Sequence, residues 1–306
     1  MKNTTQITRS GCSSNSTSTS STIRPFGLAL VLTVACLCSL VAPASAKTLV
    51  AGPPLVQIAA GNTQVWGLDG FGNVYQYKAG TFSPIAGARL KEIAVGLNDD
   101  VWGLGPKGHA FQWDGSTFSA VSPGLEFKQI ATGKGGTWAI TSGGQIYYYN
   151  SALLAFEEFT KGPPPSALEI FVGGAGQAVW ILDFGQMPHL FNTRTGFFDE
   201  VPGVNLQQIA VGYSDTWGLD FSGQPRLYHS SSPFAFNIVP AVPLAQLTVT
   251  SESELWAISE ADHAVYHYES GSFVLVDDKE TYTQISAGNS TIGVWALTNS
   301  NKIYKF

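Results

Sequence analysis

The sequence is poor in the residue types that form cross-links and metal centres. It contains three cysteines, all within the first 46 residues: Cys12, Cys36 and Cys38. It contains five histidines, and charged residues make up only 12% of the chain. His263 and His267 are four residues apart, but on a strand this spacing separates them by about 13 Å, too far to share a metal ion. The sequence therefore predicts no disulfide framework, no metal site and no cofactor.

Residues 1–46 have the composition of a secretory signal. They contain no acidic residue, and their basic residues are Lys2, Arg9 and Arg24. An apolar run, FGLALVLTVACLCSLVA, extends over 26–42 and is followed by Ala44-Ser45-Ala46, a small-residue site typical of cleavage. An uncleaved membrane anchor is the alternative, but the run is short for a spanning helix. We expect cleavage before Lys47 and a secreted, extracellular or periplasmic domain covering residues 47–306.

Removal of this segment makes the remaining chain more acidic. The whole sequence has 16 Lys and Arg against 22 Asp and Glu, and three of the basic residues lie in the first 46. Residues 47–306 therefore carry 13 basic against 22 acidic residues, a net charge of −9, with no basic cluster. Such a domain would not be attracted to a phosphate backbone or to an anionic membrane surface. We expect no nucleic-acid partner and no integral membrane partner.

Segments with helical periodicity are also missing, and a short sequence motif recurs instead. The motif occurs seven times, and each copy begins with a segment rich in small residues: QIAAG (57–61), EIAVG (92–96), QIATG (129–133), EIFVG (169–173), QIAVG (208–212), QLTVT (246–250) and QISAG (284–288). A tryptophan follows each of these segments: Trp66, Trp102, Trp138, Trp180, Trp217, Trp256 and Trp295. Successive tryptophans are 36, 36, 42, 37, 39 and 39 residues apart. This period indicates a repeat protein.

Each repeat contains further short segments separated by turns. After the tryptophan, a turn leads to an aromatic segment such as VYQY (74–77) or IYYY (146–149), and a fourth segment such as TFSPI (81–85) closes six of the repeats. Short segments rich in Val, Ile, Tyr, Phe and Trp, bounded by Gly, Asn, Asp or Ser, are typical of strands. Four short strands in about 37 residues is the spacing of a β-propeller blade.

The number of strands favours seven four-stranded blades closed by an N-terminal strand. The first three segment types occur seven times and the fourth only six times, because the last repeat stops at Phe306. The stretch 48–61 aligns with 83–96, so Thr48–Ala51 takes the place of the missing fourth strand. It would pair with IYKF (303–306) and leave no open sheet edge. Six blades, with one degenerate repeat outside the propeller, is the alternative.

The seven recurring tryptophans are predicted to lie in the core between blades. Alternate residues of a strand face opposite sides, so Trp66 and Leu68 share one face while Val65 and Gly67 share the other. The residue after the tryptophan is small in six of the seven repeats, and Ile181 is the exception. A Trp/Leu face of one blade that meets a Gly/Ala face of the next would bury about 200 Å² for each tryptophan.

The repeat pattern resembles tectonin repeats. The shared pattern is F-x-x-V/I-x-G-x-L-x-Q-I-x-V-G, then V-W-G-L, then G-x-I/V-Y-x-Y, and the run FDEVPGVNLQQIAVGYSDTWGL (198–219) is close to a whole unit. Tectonins are secreted or surface β-propeller lectins, and the better-known ones have six blades. The resemblance extends over essentially all of residues 47–306. It implies a β-propeller that binds glycans or glycoconjugates, including those of cell surfaces.

The loops before the tryptophans vary most among the repeats, whereas the strands stay near consensus. A scaffold carries its binding residues on such variable loops. Amides, carboxylates and hydroxyls bind sugar hydroxyls, and an aromatic face covers the apolar face of a pyranose. The candidate ligand-binding residues are Asn98, Asp99, Asp100, Trp113, Tyr213, Ser214 and Asp215. Trp113 is the one tryptophan outside the repeating position, and its alternative role is that of an ordinary aromatic strand residue.

Three functions from different classes remain open. The resemblance and the loop chemistry favour carbohydrate binding at shallow sites repeated between neighbouring blades, individually weak and strengthened by multivalency. A non-lectin scaffold for protein interactions is an alternative, because a fold does not determine a function. A propeller hydrolase or lyase is a further alternative, because two carboxylates in a central channel need not be close in sequence. The chain has no sialidase-type aspartate box and no Gly-x-Ser-x-Gly motif, so we predict that it is not an enzyme.

Overall fold

A computed structural model describes residues 47–162, 165–173, 178–230 and 235–306. The predicted signal segment and the three cysteines lie outside these residues. The described residues form 28 strands and no helix, in seven antiparallel sheets of four strands each. Accordingly, the described part of the chain offers no helix of the length and apolarity needed to cross a membrane. The predicted all-β fold is confirmed.

Each sheet is one blade, and we name its strands A to D from the inside of the propeller outwards. Blade 1 contains β2 (Leu55–Ala60), β3 (Val65–Asp69), β4 (Asn73–Lys78) and β5 (Thr81–Arg89). Blade 2 contains β6 (Glu92–Val95), β7 (Val101–Leu104), β8 (Ala110–Trp113) and β9 (Phe118–Val121). Blade 3 contains β10 (Gln129–Gly133), β11 (Gly136–Ile140), β12 (Ile146–Asn150) and β13 (Ala155–Glu158). Blades 4 and 5 contain β14 (Ala167–Val172), β15 (Val179–Asp183), β16 (Pro188–Asn192), β17 (Phe197–Glu200); and β18 (Leu206–Val211), β19 (Thr216–Asp220), β20 (Pro225–His229), β21 (Ala235–Ile238). Blades 6 and 7 contain β22 (Leu244–Val249), β23 (Leu255–Ser259), β24 (Val265–Glu269), β25 (Ser272–Asp277); and β26 (Tyr282–Ala287), β27 (Val294–Thr298), β28 (Ile303–Lys305), β1 (Thr48–Val50).

The blades close into a propeller around the A strands. The A strand of each blade contacts the A strand of the next, and β2 of blade 1 contacts β26 of blade 7. Among the described residues, every blade therefore has two neighbouring blades. The prediction of a seven-bladed β-propeller is confirmed, and the six-bladed alternative is wrong.

The N-terminal strand closes the last blade, as the alignment of repeats predicted. β1 is the D strand of blade 7 and pairs antiparallel with β28, from Thr48 opposite Lys305 to Val50 opposite Ile303. The predicted segment was one residue longer at its C-terminal end than the observed strand. Because β1 and β28 share one sheet, this blade has its full set of four strands, and no cysteine lies among the described residues.

Side chains next to this seam tie it to blade 6. Lys47 Nζ lies 2.6 Å from Asp277 Oδ2, at the end of β25, and 4.6 Å from the centre of the Tyr304 ring in β28. The Tyr282 hydroxyl donates to the same carboxylate oxygen over 2.7 Å. Burial alone would raise the pKa of Asp277, but the hydrogen bonds from Lys47 and Tyr282 outweigh it and hold the pKa below its usual value. The seam therefore contains a partly buried, hydrogen-bonded ion pair.

Side-chain amides on the A strands clamp neighbouring blades together. Gln57 Nε2 donates to the Ile93 carbonyl (3.1 Å), and Gln57 Oε1 accepts from the Ile93 N–H (3.0 Å). The same two-bond clamp joins Gln129 to Ile170, Gln208 to Leu247, and Gln246 to Ile285. In blade 2 the position holds Glu92, whose Oε1 accepts from the Ile130 N–H over 3.1 Å. Burial raises the pKa of Glu92 to about 7, although that hydrogen bond and the charge of Lys91 favour ionisation.

The seven recurring tryptophans lie between blades, and each exposes at most 7% of its surface. Their rings pack edge-on or tilted against aromatic side chains of the next blade. The ring of Trp66 in blade 1 lies 5.0 Å from that of Trp113 and 5.7 Å from that of Phe118, measured between ring centres. The corresponding pairs are Trp102–Tyr149, Trp138–Phe191, Trp180–Tyr228, Trp217–Tyr268, Trp256–Phe306 and Trp295–Tyr77. An aromatic layer therefore continues from blade to blade.

The small residue after a tryptophan accommodates a side chain from the A strand of its own blade or from the residues just before that strand. A Cβ on Gly67 would come within 2.4 Å of Leu55, and similar overlaps pair Gly103 with Leu90 and Gly218 with Leu206. Leu55 packs in one cluster with Trp295 and Leu297 of blade 7. The expectation that the Trp/Leu face rests directly on a Gly/Ala face is thus corrected, because a leucine fills the space between them. The exception Ile181 shares its cluster with Ala167, so the large and small residues have exchanged places there.

Candidate ligand-binding site

The antiparallel course of each blade sorts its loops onto two faces. The A–B and C–D loops lie at one end of the strands, and the B–C and D–A connections lie at the other, because each strand reverses direction. We call these ends the A–B face and the B–C face. Six of the seven candidate residues lie in A–B loops, and Trp113 ends a C strand towards the same face. The candidates divide between blades 2 and 5, which are not neighbours.

In blade 2, Asp99 fastens its own loop to the A–B loop of blade 1. Asp99 Oδ1 accepts from the Thr63 N–H (2.7 Å), and Asp99 Oδ2 accepts from the Thr63 hydroxyl (2.9 Å). Asn98 Nδ2 donates to Asp100 Oδ2 over 2.6 Å. Burial raises the pKa of Asp100 and outweighs the opposing hydrogen bond from Asn98. The three polar side chains of this loop are therefore engaged with the protein itself.

In blade 5, the candidate loop is also fastened to its neighbour but leaves an aromatic ring exposed. The Ser214 N–H donates to Ser253 Oγ of blade 6 (2.9 Å), and the two hydroxyl oxygens are 3.0 Å apart. Tyr213 exposes 57% of its surface. Asp215 is half-buried, and its carbonyl accepts from the Gly212 N–H (2.8 Å). The backbone that carries the Tyr213 ring is thus held at both ends of the turn.

A lysine from blade 3 faces this tyrosine. Lys134 Nζ lies 5.5 Å from the centre of the Tyr213 ring, within the range of a cation–π contact. The Lys134 N–H donates to the Gly173 carbonyl (3.0 Å), which fixes the backbone at the root of the lysine. Sequence reasoning missed Lys134, because its repeat is two blades away from that of Tyr213. The A–B face thus brings an aromatic ring and an ammonium group together.

Trp113 is separate from these loop residues. Its ring centre lies 5.0 Å from that of Trp66 and 5.2 Å from that of Phe118, and the side chain is half-buried. It occupies the position that Tyr149 holds in the next interface, against Trp102. The structure therefore places Trp113 in the aromatic layer between blades 1 and 2, the location that the alternative interpretation gave it.

Further loops of the A–B face are linked across blades. Asn289 Nδ2 of blade 7 donates to Asn62 Oδ1 of blade 1 over 3.2 Å. The Ser290 hydroxyl lies 3.4 Å from Glu252 Oε1 of blade 6. These contacts join equivalent positions of neighbouring repeats, so the repeat spacing is the sequence signal that points to them. Side-chain hydrogen bonds therefore link the A–B loops of blades 1 and 2, 5 and 6, 6 and 7, and 7 and 1.

The opposite, B–C face carries exposed phenylalanines on tight turns. Phe221 exposes 62% of its surface, and the preceding Asp220 accepts from the Ser222 and Gln224 N–H groups (2.9 and 3.0 Å). Across the described residues of both faces, no three His, Cys, Asp or Glu side chains come together as a metal site requires. The chemical groups available at the A–B face are an aromatic ring, an ammonium, carboxylates, amides and hydroxyls.

The fold and its repeats define the class of the protein as a seven-bladed β-propeller. Residues 54–162 match the Tectonin domain family model. Together, this match and the seven four-stranded blades fit a tectonin-repeat β-propeller, and the resemblance seen in the sequence is confirmed. No curated protein matches the chain.

Solved structures share the fold at low sequence identity. YCF48 from Cyanidioschyzon merolae is 14% identical with a TM-score of 0.64, over 86% of this chain and 98% of that one. Prp20p from Saccharomyces cerevisiae is 9% identical with a TM-score of 0.66, over 82% of both chains. Virginiamycin B lyase from Staphylococcus aureus is 13% identical with a TM-score of 0.63, over 85% of this chain and 97% of that one. At these identities the likeness shows the fold alone.

Proposed function

We propose that this protein is a secreted, non-enzymatic carbohydrate-binding propeller with weak sites repeated on its A–B face. The observation that carries the proposal is the exposed Tyr213 ring on a fastened loop, with Lys134 beside it. The match of residues 54–162 supports a tectonin-type propeller, and the resemblance of the repeats to tectonins implies the same class of ligand. The proposed partners are glycans or glycoconjugates, including those displayed on cell surfaces.

The chemistry of Tyr213 suits a sugar better than it suits an apolar partner. Its aromatic face can cover the C–H face of a pyranose, while Lys134 donates hydrogen bonds to hydroxyls and Asp215 accepts them. The turn is already ordered by the contact between Ser214 and Ser253, so binding costs little additional conformational entropy. A single shallow contact of this kind is weak, and several sites on one rigid propeller gain strength on a multivalent surface.

A protein-interaction scaffold is the second candidate function. One solved structure of YCF48 is described as bound to D1 peptide, and Prp20p is described with binding properties to Gsp1p and histones. These partners belong to those proteins. They support the scaffold alternative for this chain because proteins of the same propeller fold are described with peptide and protein partners.

A glycan array separates the two candidates. The purified protein is labelled and applied to a broad array of immobilised glycans, with heat-denatured protein as the control. The proposal expects retention on a related set of glycans that soluble glycan of the same structure competes away, with no release of shortened products. Absence of retention on every glycan would contradict carbohydrate binding and leave the scaffold function. Shortened products would contradict the non-enzymatic part of the proposal.

A further inference from the structure

Three phenylalanines project from the B–C face on turns of the same kind. Phe71 of blade 1 exposes 79% of its surface, Phe184 of blade 4 exposes 56% and Phe221 of blade 5 exposes 62%. In blade 1, Asp69 Oδ1 accepts from the N–H groups of Phe71 and Asn73 over 2.9 Å each, which fixes the turn. The equivalent aspartates are Asp183 and Asp220. Because the turns are already ordered, contact with a partner costs little additional conformational entropy.

The three rings stand at separate points of the face. The blades follow one another in order around the closed propeller, so blades 4 and 5 are each three blades away from blade 1. Phe71 therefore lies across the B–C face from Phe184 and Phe221. A protein interface is centred on one buried apolar core, whereas a flat layer contacts separate rings together. The arrangement favours a planar partner.

Cationic side chains occupy the part of the B–C face between Phe71 and Phe184. Five of them are exposed in the loops and strand ends of blades 1 to 3, and we call them the cationic arc: Arg89, Lys91, Lys107, Lys128 and Lys161. The exposed carboxylates of the same region are Glu126 and Glu158. No member of the cationic arc forms an ion pair with a residue that the structure describes. This region therefore has an excess of positive charge.

Backbone contacts position three members of the cationic arc. Arg89 Nη1 donates to the carbonyl of Phe71 over 3.3 Å, so a guanidinium lies at the base of an exposed ring. Lys91 Nζ donates to the Phe127 carbonyl (3.3 Å), and Lys128 Nζ donates to the Leu168 carbonyl (2.6 Å). An ammonium has three N–H donors and a guanidinium has five, so each group keeps donors for an anion.

The net charge of −9 over residues 47–306 does not describe this face. The charged residues of the described A–B loops are mostly acidic: Asp99, Asp100, Lys134, Asp215, Glu252 and Glu254. Strands of four to six residues separate the two faces by about 13–20 Å. At physiological ionic strength charges act over only about 8 Å. An anionic surface against the B–C face therefore meets the local excess of cations rather than the net charge.

We infer that the B–C face binds reversibly to the surface of a bilayer that contains anionic phospholipids. The phenylalanine rings enter the boundary between headgroups and acyl chains, and the cationic arc contacts the phosphate groups. Apolar rings beside lysines match a surface that is anionic outside and apolar just beneath. The inference does not depend on the proposed carbohydrate binding, because it uses the opposite face of the propeller. The A–B face points away from the bilayer in this orientation.

Co-sedimentation with vesicles tests the inference. Residues 47–306 contain all 28 strands, so this domain is used, and the apolar run at 26–42 cannot contribute. The vesicles are phosphatidylcholine alone, or phosphatidylcholine with about a third of phosphatidylglycerol to supply the anionic surface. Binding to the anionic vesicles is expected to be at least tenfold stronger than binding to the neutral ones. It is expected to fall at least tenfold in about 1 M salt, which screens charges beyond about 3 Å.

Paired variants separate the contribution of the charges from that of the rings. Lys107→Glu with Lys128→Glu is expected to weaken binding at least tenfold, because each cation near an anionic surface contributes about fivefold. Phe71→Ser with Phe184→Ser is also expected to weaken it at least tenfold. The matched control is Leu153→Ser with Leu154→Ser, which removes two exposed leucines from the C–D loop on the A–B face and is expected to change binding less than twofold.

Insertion of a ring is measured with Phe71→Trp and vesicles that contain a brominated lipid. The bromine is expected to quench the added tryptophan, and it is expected to leave Tyr213→Trp, on the A–B face, as bright as in vesicles without bromine. This comparison decides the matter if a serine variant does not fold.

Three results would overturn the inference. The first is equal binding, or none, to neutral and anionic vesicles. The second is a loss caused by the glutamate pair but not by the serine pair or by quenching, which would mean that the arc binds a polyanion rather than a bilayer. The third is quenching of Tyr213→Trp in place of Phe71→Trp, which would put the A–B face on the membrane.

Discussion

Seven equivalent positions on the A strands face the next blade; five hold glutamine, and Glu92 and Glu169 hold the other two. A glutamine amide offers both a donor and an acceptor to the backbone of the neighbouring strand, as Gln57 does to Ile93. A carboxylate offers acceptors only. An ionised Glu92 can therefore accept from the Ile130 N–H, but it cannot donate to a backbone carbonyl of the neighbouring strand. A protonated carboxyl has the same donor and acceptor as the amide. The neutral form of Glu92 can therefore make both hydrogen bonds of the clamp, as a glutamine does.

Glu92→Gln is expected to stabilise the protein above neutral pH. Below pH 4.5 Glu92 is protonated in both the folded and unfolded states, so the variant gains little. Between pH 4.5 and about 7 the unfolded chain loses the proton first, so the free energy of unfolding of the natural protein falls as pH rises. A difference of about 2.5 pKa units corresponds to about 3 kcal/mol above pH 7. Denaturant unfolding from pH 4 to pH 9 measures the difference between the two proteins.

Gln129→Glu is the matched control, because it introduces a carboxyl at the equivalent place in blade 3. It is expected to be tolerated in acid and to destabilise the protein progressively as pH rises. A stability difference between Glu92→Gln and the natural protein that does not change with pH would contradict the account of the clamp.

The exchange of large and small residues at Ala167 and Ile181 makes a second test at this scale. Ala167→Leu places a leucine against Ile181 and is expected to cost about 1–3 kcal/mol by overpacking. Ile181→Gly alone leaves a cavity and is also expected to destabilise the protein. Together the two changes recreate the Leu55 and Gly67 arrangement of blade 1, so the double variant is expected to be more stable than the sum of the single effects predicts. Strict additivity in denaturant unfolding would show that the two residues do not share one space.

At the scale of elements, the short N-terminal strand completes a blade that would otherwise have three strands. β1 contributes Val50 to the buried core beside Ile303 and Trp295, and it covers the edge of β28. Deletion of 47–52 removes both effects. We expect the melting temperature to fall by about 10 °C or more, or folding to fail, since several kcal/mol are lost.

Lys47→Ala separates strand pairing from the ion pair with Asp277. The variant keeps β1 but loses the 2.6 Å contact between Lys47 and Asp277. We therefore expect its free energy of unfolding to fall by only about 1 kcal/mol. Thermal melts of the deletion, of Lys47→Ala and of the natural protein provide the comparison. A deletion that melts at the natural temperature would show that the seam does not hold the propeller closed.

Most of these strands were predictable because the same strand pattern recurs in every repeat. Turn residues, alternating apolar residues and seven tryptophans agree at every blade, so an irregular repeat such as 129–162 is still assigned correctly. The contacts between blades were not predictable in the same way. The Asp99 carboxylate appeared available to a ligand, but its hydrogen bonds with Thr63 depend on side-chain direction across a loop. The approach of Lys134 to Tyr213 depends on the curvature of the propeller, which the sequence pattern does not specify.

At the scale of the whole molecule, the residues that hold the blades together differ from the residues that we propose bind a ligand. Aromatic side chains between blades and amide clamps around the A strands hold the frame, and they are built from the repeating residues. The loops depart from the repeat, and they place Tyr213 on one face and Phe221 on the opposite face of the same blade. Two exposed aromatic rings on one blade therefore provide a test of which face binds the ligand.

The most direct measurement is retention of three proteins on a multivalent matrix of a glycan identified by the array. The natural protein is compared with the double variant Tyr213→Ala, Asp215→Ala and with Phe221→Ala, and the melting temperature of each is recorded. The account predicts that the double variant loses at least tenfold in retention with a melting temperature within a few degrees of natural, while Phe221→Ala is retained as before. Equal retention of all three proteins, or a loss only in a variant that has melted, would contradict carbohydrate binding at the A–B face.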